Sequence, residues 1–477
     1  MEYREEHDGL GTLNVPADAY WGIHTARALE NFAVSGYRWP RGFITGLAWV
    51  KLACARTNLE LGYLGEIPGR VIIRACEEMV RGQWHRQIVV DPFQGGAGTS
   101  TNMNMNEVIA NRAIELLGGS LGDYSRVHPL DHVNMHQSTN DVFPTGLKVA
   151  VMFLLKDLEQ AAARLQESLQ SREHAFRDVV KVGRTQLQDA VPVTLGMSFG
   201  AYAEAVARDR WRVFKCRERI KQINLGGTAV GTGIGAPRQY IFNASTTLRN
   251  LTGLNVSRCE NLVDATQNLD PFVEVSGMLK AFAANLLKIS NDLRLMASGP
   301  DAGLGEIHLP AVQAGSSIMP GKVNPVIPEM TAQVALQVMA NDQAITSAAA
   351  LGNLELNQFF PLVAWNILQS LELLTHAAGL FRERCIDGIT PDEARCFRTV
   401  MAGKIVGTVL VPALGYEAVE KAVKHALAEQ ISVVDALVTL KIVDREKIID
   451  IMSPRRMYKL GFDPSDFDGL VPSPESD

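Results

Sequence analysis

Apolar residues recur at spacings of three and four through the middle of this chain, without a break for about thirty residues. Between about residues 146 and 175 this spacing predicts one helix, roughly 45 Å long at 1.5 Å per residue. Such a helix needs packing partners along its whole length. The pattern therefore predicts a mainly α-helical chain built around a central bundle of long helices. The other long helices are predicted at residues 194–223, 271–297, 328–350 and 358–384.

Changes in pattern along the chain predict three domains. Residues 1–137 mix turns with shorter helices, and residues 138–394 carry the long helical patterns. Residues 395–477 form a small helical domain that ends in a tail rich in Pro, Ser and acidic residues. Thr390-Pro-Asp-Glu393 has the form of a helix capping box, and we expect a new helix to begin there.

The bulk properties exclude several classes of protein. The 477 residues are 47% hydrophobic and 21% charged, which is typical of a globular protein with two or three domains. A formal net charge of −6 gives no basic field for nucleic acid. Six cysteines without a CxxC pair indicate neither a zinc ribbon nor a disulfide framework. No apolar stretch is long enough for a membrane span and no signal peptide is evident, so we expect a cytoplasmic protein.

One short segment, residues 315–325 with the sequence GSSIMPGKVNP, concentrates groups that suit an anion. Ser316 and Ser317 offer hydroxyls, Lys322 a positive charge and Asn324 an amide, between glycines that act as hinges. By itself the segment is equally compatible with a surface loop punctuated by Pro and Gly. We interpret it as a mobile catalytic lid, and call it the lid segment.

Three other segments are dense in Thr, Ser, Asn and Gly, at residues 95–106, 137–141 and 183–189. Each alone is more often a helix cap or a turn. Polar clusters of this density are costly to bury unless a ligand satisfies them. Together with the lid segment they predict one binding site for a polar ligand.

These four segments resemble, in the same order, the substrate-binding blocks of the aspartase/fumarase superfamily. GSSIMPGKVNP is similar to the superfamily signature, and GAGTSTN, QSTND and GRTQ are similar to the other blocks. Members eliminate across a C–N or C–O bond and release fumarate. The resemblance implies a three-domain fold and a homotetramer whose helices pool into one core, with each active site shared among three subunits. It implies a dicarboxylate substrate and no organic cofactor or metal ligand, although a divalent cation is allowed as a mild activator.

The resemblance also implies roles for individual residues. Removing a proton beside a carboxylate gives an aci-carboxylate, a dianion that needs donors aimed at its oxygens. Ser316 matches the serine general base, assisted by Lys322, which also lies at the α-carboxylate. The implied substrate contacts are Thr99, Ser138 and Thr139 at the β-carboxylate, Thr185 and Asn324 at the α-carboxylate, Asn140 and Gln186 near the amino group, and Ser317 in the lid segment.

Position 186 helps to choose the reaction. Fumarases usually carry histidine in the equivalent block, whereas Gln186 cannot titrate. Hydroxide is a poor leaving group that benefits from a general acid, but the ammonium group of aspartate leaves as neutral ammonia. His24, in GIHTARALENF, also resembles the aspartase form. We therefore expect reversible elimination of ammonia from L-aspartate. The alternatives are malate–fumarate hydration, a lyase for an N-substituted aspartate, and a non-catalytic structural paralogue.

Two positions depart from the superfamily pattern. Asp301 stands where arginine is frequent, and Gly235 where asparagine is common. The acid at 301 reverses a local charge, and we expect neighbouring groups to pair with it so that activity survives.

Three histidines invite comparison with a metal site. His128, His132 and His136 are spaced by four residues, which on one helix would put them on one face. Pro129 argues against such a helix, so we predict no metal site there.

Overall fold

The computed structural model describes residues 2–470, and most of them lie in helices. The mainly α-helical class is therefore confirmed. The helices are α1 Ile23–Asn31, α2 Arg41–Glu60, α3 Glu66–Val80, α4 Thr99–Leu116, α5 Thr139–Ala175, α6 Leu195–Ile220, α7 Arg238–Thr252, α8 Leu262–Gln267, α9 Asp270–Met296, α10 Val326–Ala350, α11 Phe360–Arg384, α12 Glu393–Ala402, α13 Ile405–Leu414, α14 Tyr416–Glu429, α15 Val433–Thr439, α16 Arg445–Ile451 and α17 Pro454–Tyr458.

Strands are short and pair only in twos within the described residues. Three pairs are antiparallel and the third along the chain is parallel. The pairs are β1 Tyr3–Asp8 with β2 Gly11–Pro16, β3 Val180–Thr185 with β4 Gln188–Thr194, β5 Gln222–Ile223 with β6 Ser257–Arg258, and β7 Ile307–His308 with β8 Thr390–Pro391.

The chain divides into two compact units, each built from several pieces. The predicted three-domain boundaries after residues 137 and 394 stay a prediction. Unit 1 comprises Met1–Gln160, Asp209–Ala283 and Val334–Thr375, and unit 2 comprises Ala161–Arg208, Ala284–Gln333 and His376–Asp477.

The first long helix, α5, has 37 residues and begins at Thr139 rather than near residue 146. Pro144 lies inside it, and a proline has no N–H to donate to the carbonyl four residues earlier. That carbonyl belongs to Asn140, and it accepts instead from Nδ2 of Asn224 at 2.9 Å. The helix therefore continues through its proline because a side chain replaces the missing donor.

In unit 1, helices α2 and α5 cross at a pair of glycines. A β-carbon at Gly46 would overlap the carbonyl oxygen of Gly146, and one at Gly146 would lie 2.6 Å from Cδ2 of Leu47. Two facing glycines allow the backbones to approach this closely. Next to this crossing, Phe43 and Phe143 pack edge to face, with their ring centroids 5.0 Å apart.

In unit 2, apolar residues of β3 pack with those of helices α12 to α16 in one core. The capping box predicted at Thr390 is wrong. The N-cap of α12 is Asp392, whose Oδ1 accepts from the backbone N–H of Arg395 at 2.9 Å. Thr390 is extended because it pairs with His308 across β7 and β8.

Within residues 2–470, no single helix is long and apolar enough to cross a membrane. Helices α12 and α13 reach the required length and apolar composition only when they are taken together, and a 55° bend separates them.

Candidate active site

The start of α5 is held in unit 1 by the carboxylate of Asp141. Its Oδ1 accepts from the N–H of Ser138, the N-cap, at 3.0 Å, as the third helical residue does in a capping box. Its Oδ2 accepts from the N–H groups of Gly226 at 3.1 Å and Thr228 at 3.0 Å, in a glycine-rich loop. Asp141 is fully buried, and burial raises the pKa of its carboxyl to about 6. One side chain thus fixes the helix start against a second loop.

Ser138 and Asn140 flank the helix start, and both are half-buried. The hydroxyl oxygen of Ser138 accepts from the N–H of Asn140 at 3.2 Å, which leaves its own O–H to donate. The side-chain amide of Asn140 donates to the carbonyl of Ala229 at 2.7 Å. Asn140 therefore has a structural contact in addition to its predicted substrate contact.

Thr99 and Thr139 are the first residues of α4 and α5, and a side-chain contact joins the two helix starts. Asn102 Nδ2 on α4 donates to Thr139 Oγ1 at 3.1 Å. Thr99 is exposed and donates its hydroxyl to the carbonyl of Gly96 at 2.7 Å. A β-carbon on the residue that precedes Thr99, Gly98, would overlap the ring of Phe143, so only glycine fits there. Two helix N-termini, each the positive end of a helix dipole, thus lie side by side.

Beneath these helix starts lies a lysine that sequence reasoning missed. Lys51 on α2 is 1% exposed, and its Nζ lies 3.0 Å from Asn134 Oδ1 and 2.8 Å from Gln137 Oε1. Burial lowers the pKa of its ammonium group to about 8. Asn134 Oδ1 also accepts from Asn102, the residue that contacts Thr139. A lysine inside the apolar run WVKLACA is the signal that would have identified it.

In unit 2, Thr185 and Gln186 lie at the exposed tip of the β3–β4 hairpin. Gln186 and Leu187 form a two-residue turn with φ values of 54° and 62°. This left-handed region usually requires Gly or Asn in hairpin turns, so both residues are held in a strained conformation. Backbone strain of this kind is concentrated at functional sites.

The base of the same hairpin is fixed by a buried carboxylate. Glu306 is 2% exposed, with its Oε1 2.6 Å from Arg184 Nη1 and its Oε2 3.1 Å from Lys181 Nζ. A cleft of about 540 Å³ lies between the hairpin, α6 and α9, and Thr185 is one of its lining residues. Tyr202 also lines this cleft and donates its hydroxyl to Asp292 at 2.8 Å.

The lid segment, also in unit 2, has neither helix nor strand and its two arms touch. A β-carbon at Gly315 would overlap the carbonyl oxygen of Lys322. The amide of Asn324 donates to the carbonyl of Gly315 at 3.0 Å, which links the two arms. The hydroxyl oxygen of Ser316 accepts from the N–H of Ile318 at 3.2 Å. The loop is therefore a closed turn rather than an open strap.

The polar side chains of the lid segment differ in their exposure to solvent. Ser317 and Lys322 are exposed, and Ser316 and Asn324 are half-buried. Within the described residues, no carboxylate oxygen lies within 4.0 Å of Lys322 Nζ. Its charge is thus available to a ligand.

The ten candidate residues divide between the two units, and their roles stay predictions. Unit 1 holds Thr99, Ser138, Thr139 and Asn140, whose backbones meet at two helix starts. Unit 2 holds Thr185, Gln186, Ser316, Ser317, Lys322 and Asn324, on the hairpin tip and the lid segment.

The three histidines are directed at different partners. A π-helical turn at Pro129–Val133 interrupts the regular spacing that would align them. His132 Nδ1 accepts from the N–H of His128 at 2.8 Å, while His136 Nδ1 lies 2.8 Å from Asn58 Oδ1. In the described part of the chain, no three His, Cys, Asp or Glu side chains form a cluster suited to a metal.

The pairing expected for Asp301 is wrong in this chain. Asp301 is exposed, and over residues 2–470 no Lys, Arg or His nitrogen lies within 4.0 Å of its carboxylate. Its carboxylate is exposed to solvent instead. Gly235, the other departure, has a φ of 93° with open space beside it, so its glycine serves backbone conformation.

Comparisons with known proteins match nearly the whole chain. A lyase family model matches residues 11–340, and a model of the fumarase C C-terminus matches residues 406–459. The chain is 45% identical to an aspartate ammonia-lyase of a Bacillus species over 460 residues, covering 96% of this chain and 98% of that protein. It is 43% identical to a class II fumarate hydratase of Thermosynechococcus vestitus over 445 residues, covering 93% and 95%.

Solved structures give the same result. A fumarate lyase:delta crystallin from Brucella melitensis, solved with cobalt bound, matches with a TM-score of 0.92 and 45% identity, covering 96% of this chain and 99% of that chain. A class II fumarase from Schistosoma mansoni matches with a TM-score of 0.89 and 34% identity, again covering 96% and 99%. The chain therefore belongs to the aspartase/fumarase family of lyases.

Proposed function

We propose that this chain is an aspartate ammonia-lyase, which converts L-aspartate reversibly into fumarate and ammonia without an organic cofactor. Similarity to curated enzymes of that name, over 96% of the chain, supports the reaction class. Identity alone separates it poorly from fumarate hydratase, because 45% and 43% are close. The observation that carries the choice is Gln186 at the hairpin tip, a side chain that cannot protonate a leaving hydroxide.

The β-carboxylate of the substrate binds at the two helix starts of unit 1. Ser138 and Thr139 supply hydroxyl donors, and Thr99 supplies a third when its hydroxyl turns from the carbonyl of Gly96 to the substrate. The N-termini of α4 and α5 supply partial positive charge. When the β-proton leaves, a second negative charge develops on this carboxylate. Donors fixed before the reaction stabilise that charge most effectively, and each contributes about 10²–10³ in rate.

Ser316 is the base in this proposal. Its oxyanion takes the proton from the β-carbon, and the electron pair moves into the β-carboxylate to give the aci-carboxylate. The pair then returns to form the Cα–Cβ double bond as the Cα–N bond breaks and neutral ammonia leaves. Lys322 lies six residues along the same closed loop and has no carboxylate partner in the described chain, which suits it to favour the oxyanion.

The remaining contacts hold the other end of the substrate. Thr185, Lys322 and Asn324 bind the α-carboxylate, with Ser317 beside them. Asn140 and Gln186 lie near the amino group. Neither Asn140 nor Gln186 can act as an acid, so ammonia leaves without taking a proton from them.

We further propose that the chain works as a homotetramer in which three subunits contribute to each active site. Several candidate side chains of unit 2 are exposed on a single chain. Other subunits must cover them to form a pocket that excludes water. The long helices also carry large exposed apolar residues, which support helix pooling between subunits: Trp211 and Phe214 on α6, Leu336 on α10 and Leu380 on α11.

In the same proposal, each subunit of that assembly has domain boundaries after residues 137 and 394. A cytoplasmic location is supported by six buried cysteines that form no disulfide in the described chain.

The proposal is tested by adding L-aspartate to the purified chain and following fumarate by its ultraviolet absorbance, with ammonia measured in parallel. We expect equimolar release of both products. Ser316→Ala should reduce the rate by at least about 10²–10⁴, the usual contribution of a positioned base. Ser171→Ala is the control, because it removes an exposed hydroxyl on α5 outside the candidate site, and it should keep the parent rate. Full turnover by Ser316→Ala would remove Ser316 as the base.

A further inference from the structure

A second cavity, of about 610 Å³, lies in unit 1 between the start of α2 and the segment that follows α3. None of its ten lining residues belongs to the candidate active site, and none is acidic. Three of them are arginines, Arg38, Arg41 and Arg86. A cavity of this volume is large enough for a small organic ligand.

The three guanidinium groups carry uncompensated charge. All three residues are exposed, and within residues 2–470 no carboxylate oxygen lies within 4.0 Å of any of them. Arg38 donates to the carbonyl of Val89, which carries no formal charge. The whole chain has a formal charge of −6, so this concentration of positive charge is local. Like charges gathered in one cavity repel each other, and a bound anion would offset that repulsion.

The start of α2 adds to the positive field. Pro40 is the N-cap, and no side chain caps the helix there. The N–H groups of Arg41 and Gly42, the first two helical residues, have no carbonyl partner within the helix. With 20 residues, α2 is long enough for a full macrodipole, whose positive end lies at the cavity.

One wall of the cavity is rigid. Trp84 has a φ of 63°, in the left-handed region that a bulky residue rarely occupies. Three contacts hold it there: its Nε1 donates to Glu78 at 2.9 Å, its ring lies 4.4 Å from that of Tyr20, and the guanidinium of Arg112 lies 5.0 Å above it. A strained wall that its surroundings hold in place is typical of a preformed binding site.

His85, in the same wall, leaves a polar atom unsatisfied. The side chain is 8% exposed, and its Nε2 lies 2.8 Å from the carbonyl oxygen of Met79, to which it must donate. Its Nδ1 is buried and has no hydrogen-bond partner in the described chain. Burial, with the charge of Arg41 as a smaller cause, lowers the pKa of His85. A ring that donates only from Nε2 can do no more than accept at Nδ1, so an anion beside it would favour the protonated ring, whose Nδ1–H donates to the anion. Buried polar atoms without a partner are uncommon and often mark an unoccupied ligand or water site.

We propose that this cavity binds a small polyanion, a molecule with two or more phosphate or carboxylate groups, at a site separate from the candidate active site. Arginine is the side chain best suited to both groups, because its planar fork matches their paired oxygens. The proposal does not depend on the reaction that the chain catalyses.

Isothermal titration calorimetry tests the proposal, with pyrophosphate and citrate as the probes at low ionic strength, where exposed charges are least screened. We expect at least one probe to bind. The double variant Arg41→Gln/Arg86→Gln should bind it at least about tenfold more weakly, since each charge-assisted contact contributes about a factor of ten. Pyrophosphate binding alone assigns a phosphate ligand, and citrate binding alone a carboxylate ligand.

Arg81→Gln is the matched control, because Arg81 is exposed and close in sequence but does not line the cavity. It should change the affinity by less than about twofold. Melting temperatures without probe show whether the variants fold. The proposal is overturned if neither probe binds, or if the folded double variant binds as tightly as the parent chain, which would place the anion elsewhere.

Discussion

The ammonium nitrogen of Lys51 lies 3.0 Å from the amide oxygen of Asn134, in the interior of unit 1. No carboxylate in the described chain lies within 4.0 Å of it, so its hydrogen-bond acceptors are two amide oxygens, while the more distant Asp141 favours the charge electrostatically. Asn134 links this lysine through Asn102 to Thr139, at the start of α5. A residue remote from substrate thus supports a predicted substrate contact, and we regard Lys51 as a positioning residue.

Replacing Lys51 tests this link. Lys51→Met should lower kcat/KM for aspartate by about tenfold or more, because Asn134 and Gln137 lose a shared donor and Thr139 loses its fixed position. Lys51→Arg, which keeps the charge but not the shape, should recover only part of the loss. Parent-like kinetics in the folded Lys51→Met variant would show that the network does not position Thr139.

Lys51 also predicts a dependence of stability on pH. Its pKa of about 8 lies below the ordinary value of 10.5, so the unfolded chain binds the proton more tightly than the folded chain. The free energy of unfolding should therefore gain from this group as pH rises from about 8 to 10.5, by about 1–3 kcal/mol. Chemical denaturation of parent and Lys51→Met chains across that range measures the difference. The free energy of unfolding of the parent minus that of Lys51→Met should rise with pH. A fall across this range would contradict the prediction.

Asp141 should be sensitive even to a nearly isosteric change. In Asp141→Asn an amide NH₂ replaces one carboxylate oxygen, and it then faces an N–H of Ser138, Gly226 or Thr228. Each buried N–H left without an acceptor costs about 1–3 kcal/mol. We expect a lower melting temperature and a raised KM for aspartate. Asp157→Asn, at an exposed position farther along α5, is the control and should leave the melting temperature within experimental error.

Gly315 should be essential to the closed shape of the lid segment. Gly315→Ala places a β-carbon where the carbonyl of Lys322 lies, so the two arms must separate. Displacing catalytic groups by about 1 Å can cost about 10²-fold in rate. We expect kcat to fall by about that factor with the melting temperature unchanged. Gly277→Ala on α9 has open space for its methyl group and should keep full activity, whereas equal losses in both variants would indicate a general defect.

Gln186→His tests the leaving-group argument. Aspartate turnover should fall by less than about tenfold, because ammonia needs no acid, while a weak malate dehydration should appear. That activity should be greatest below about pH 6.5, where an exposed imidazole is protonated. Steady-state rates with both substrates between pH 5.5 and 8.5 measure it. Complete loss of aspartate turnover in a folded variant would mean that Gln186 has a role the argument omits.

The sequence predicted the long helices well, because one apolar face sustained over many turns is a local property. Helices α6, α9, α10 and α11 all end within about three residues of their predicted bounds. The start of α5 was missed because Pro144 leaves the carbonyl of Asn140 without a helical donor. The side chain that replaces this donor belongs to Asn224, which is far away in sequence. The turn at Gln186 and Leu187 was also invisible, since neither residue type favours a positive φ.

In the candidate site, too, part was predictable from the sequence and part was not. Resemblance identified its ten residues, but the supporting contacts of Lys51 and Asp141 join segments far apart along the chain. Lys51 and Asn134 are separated by 83 residues, and Asp141 and Thr228 by 87. No local pattern encodes such pairings, so they emerge only from the fold. Glu306 and its two cations are a further example in unit 2.

Parallel assays with L-aspartate and L-malate show whether the enzyme breaks a C–N or a C–O bond. Initial rates of fumarate formation are measured on the same preparation at saturating concentrations of each substrate. We predict rapid fumarate formation from aspartate and none above background from malate. Fumarate from malate alone would contradict it, and would make this chain a fumarase that works without a titratable side chain at position 186.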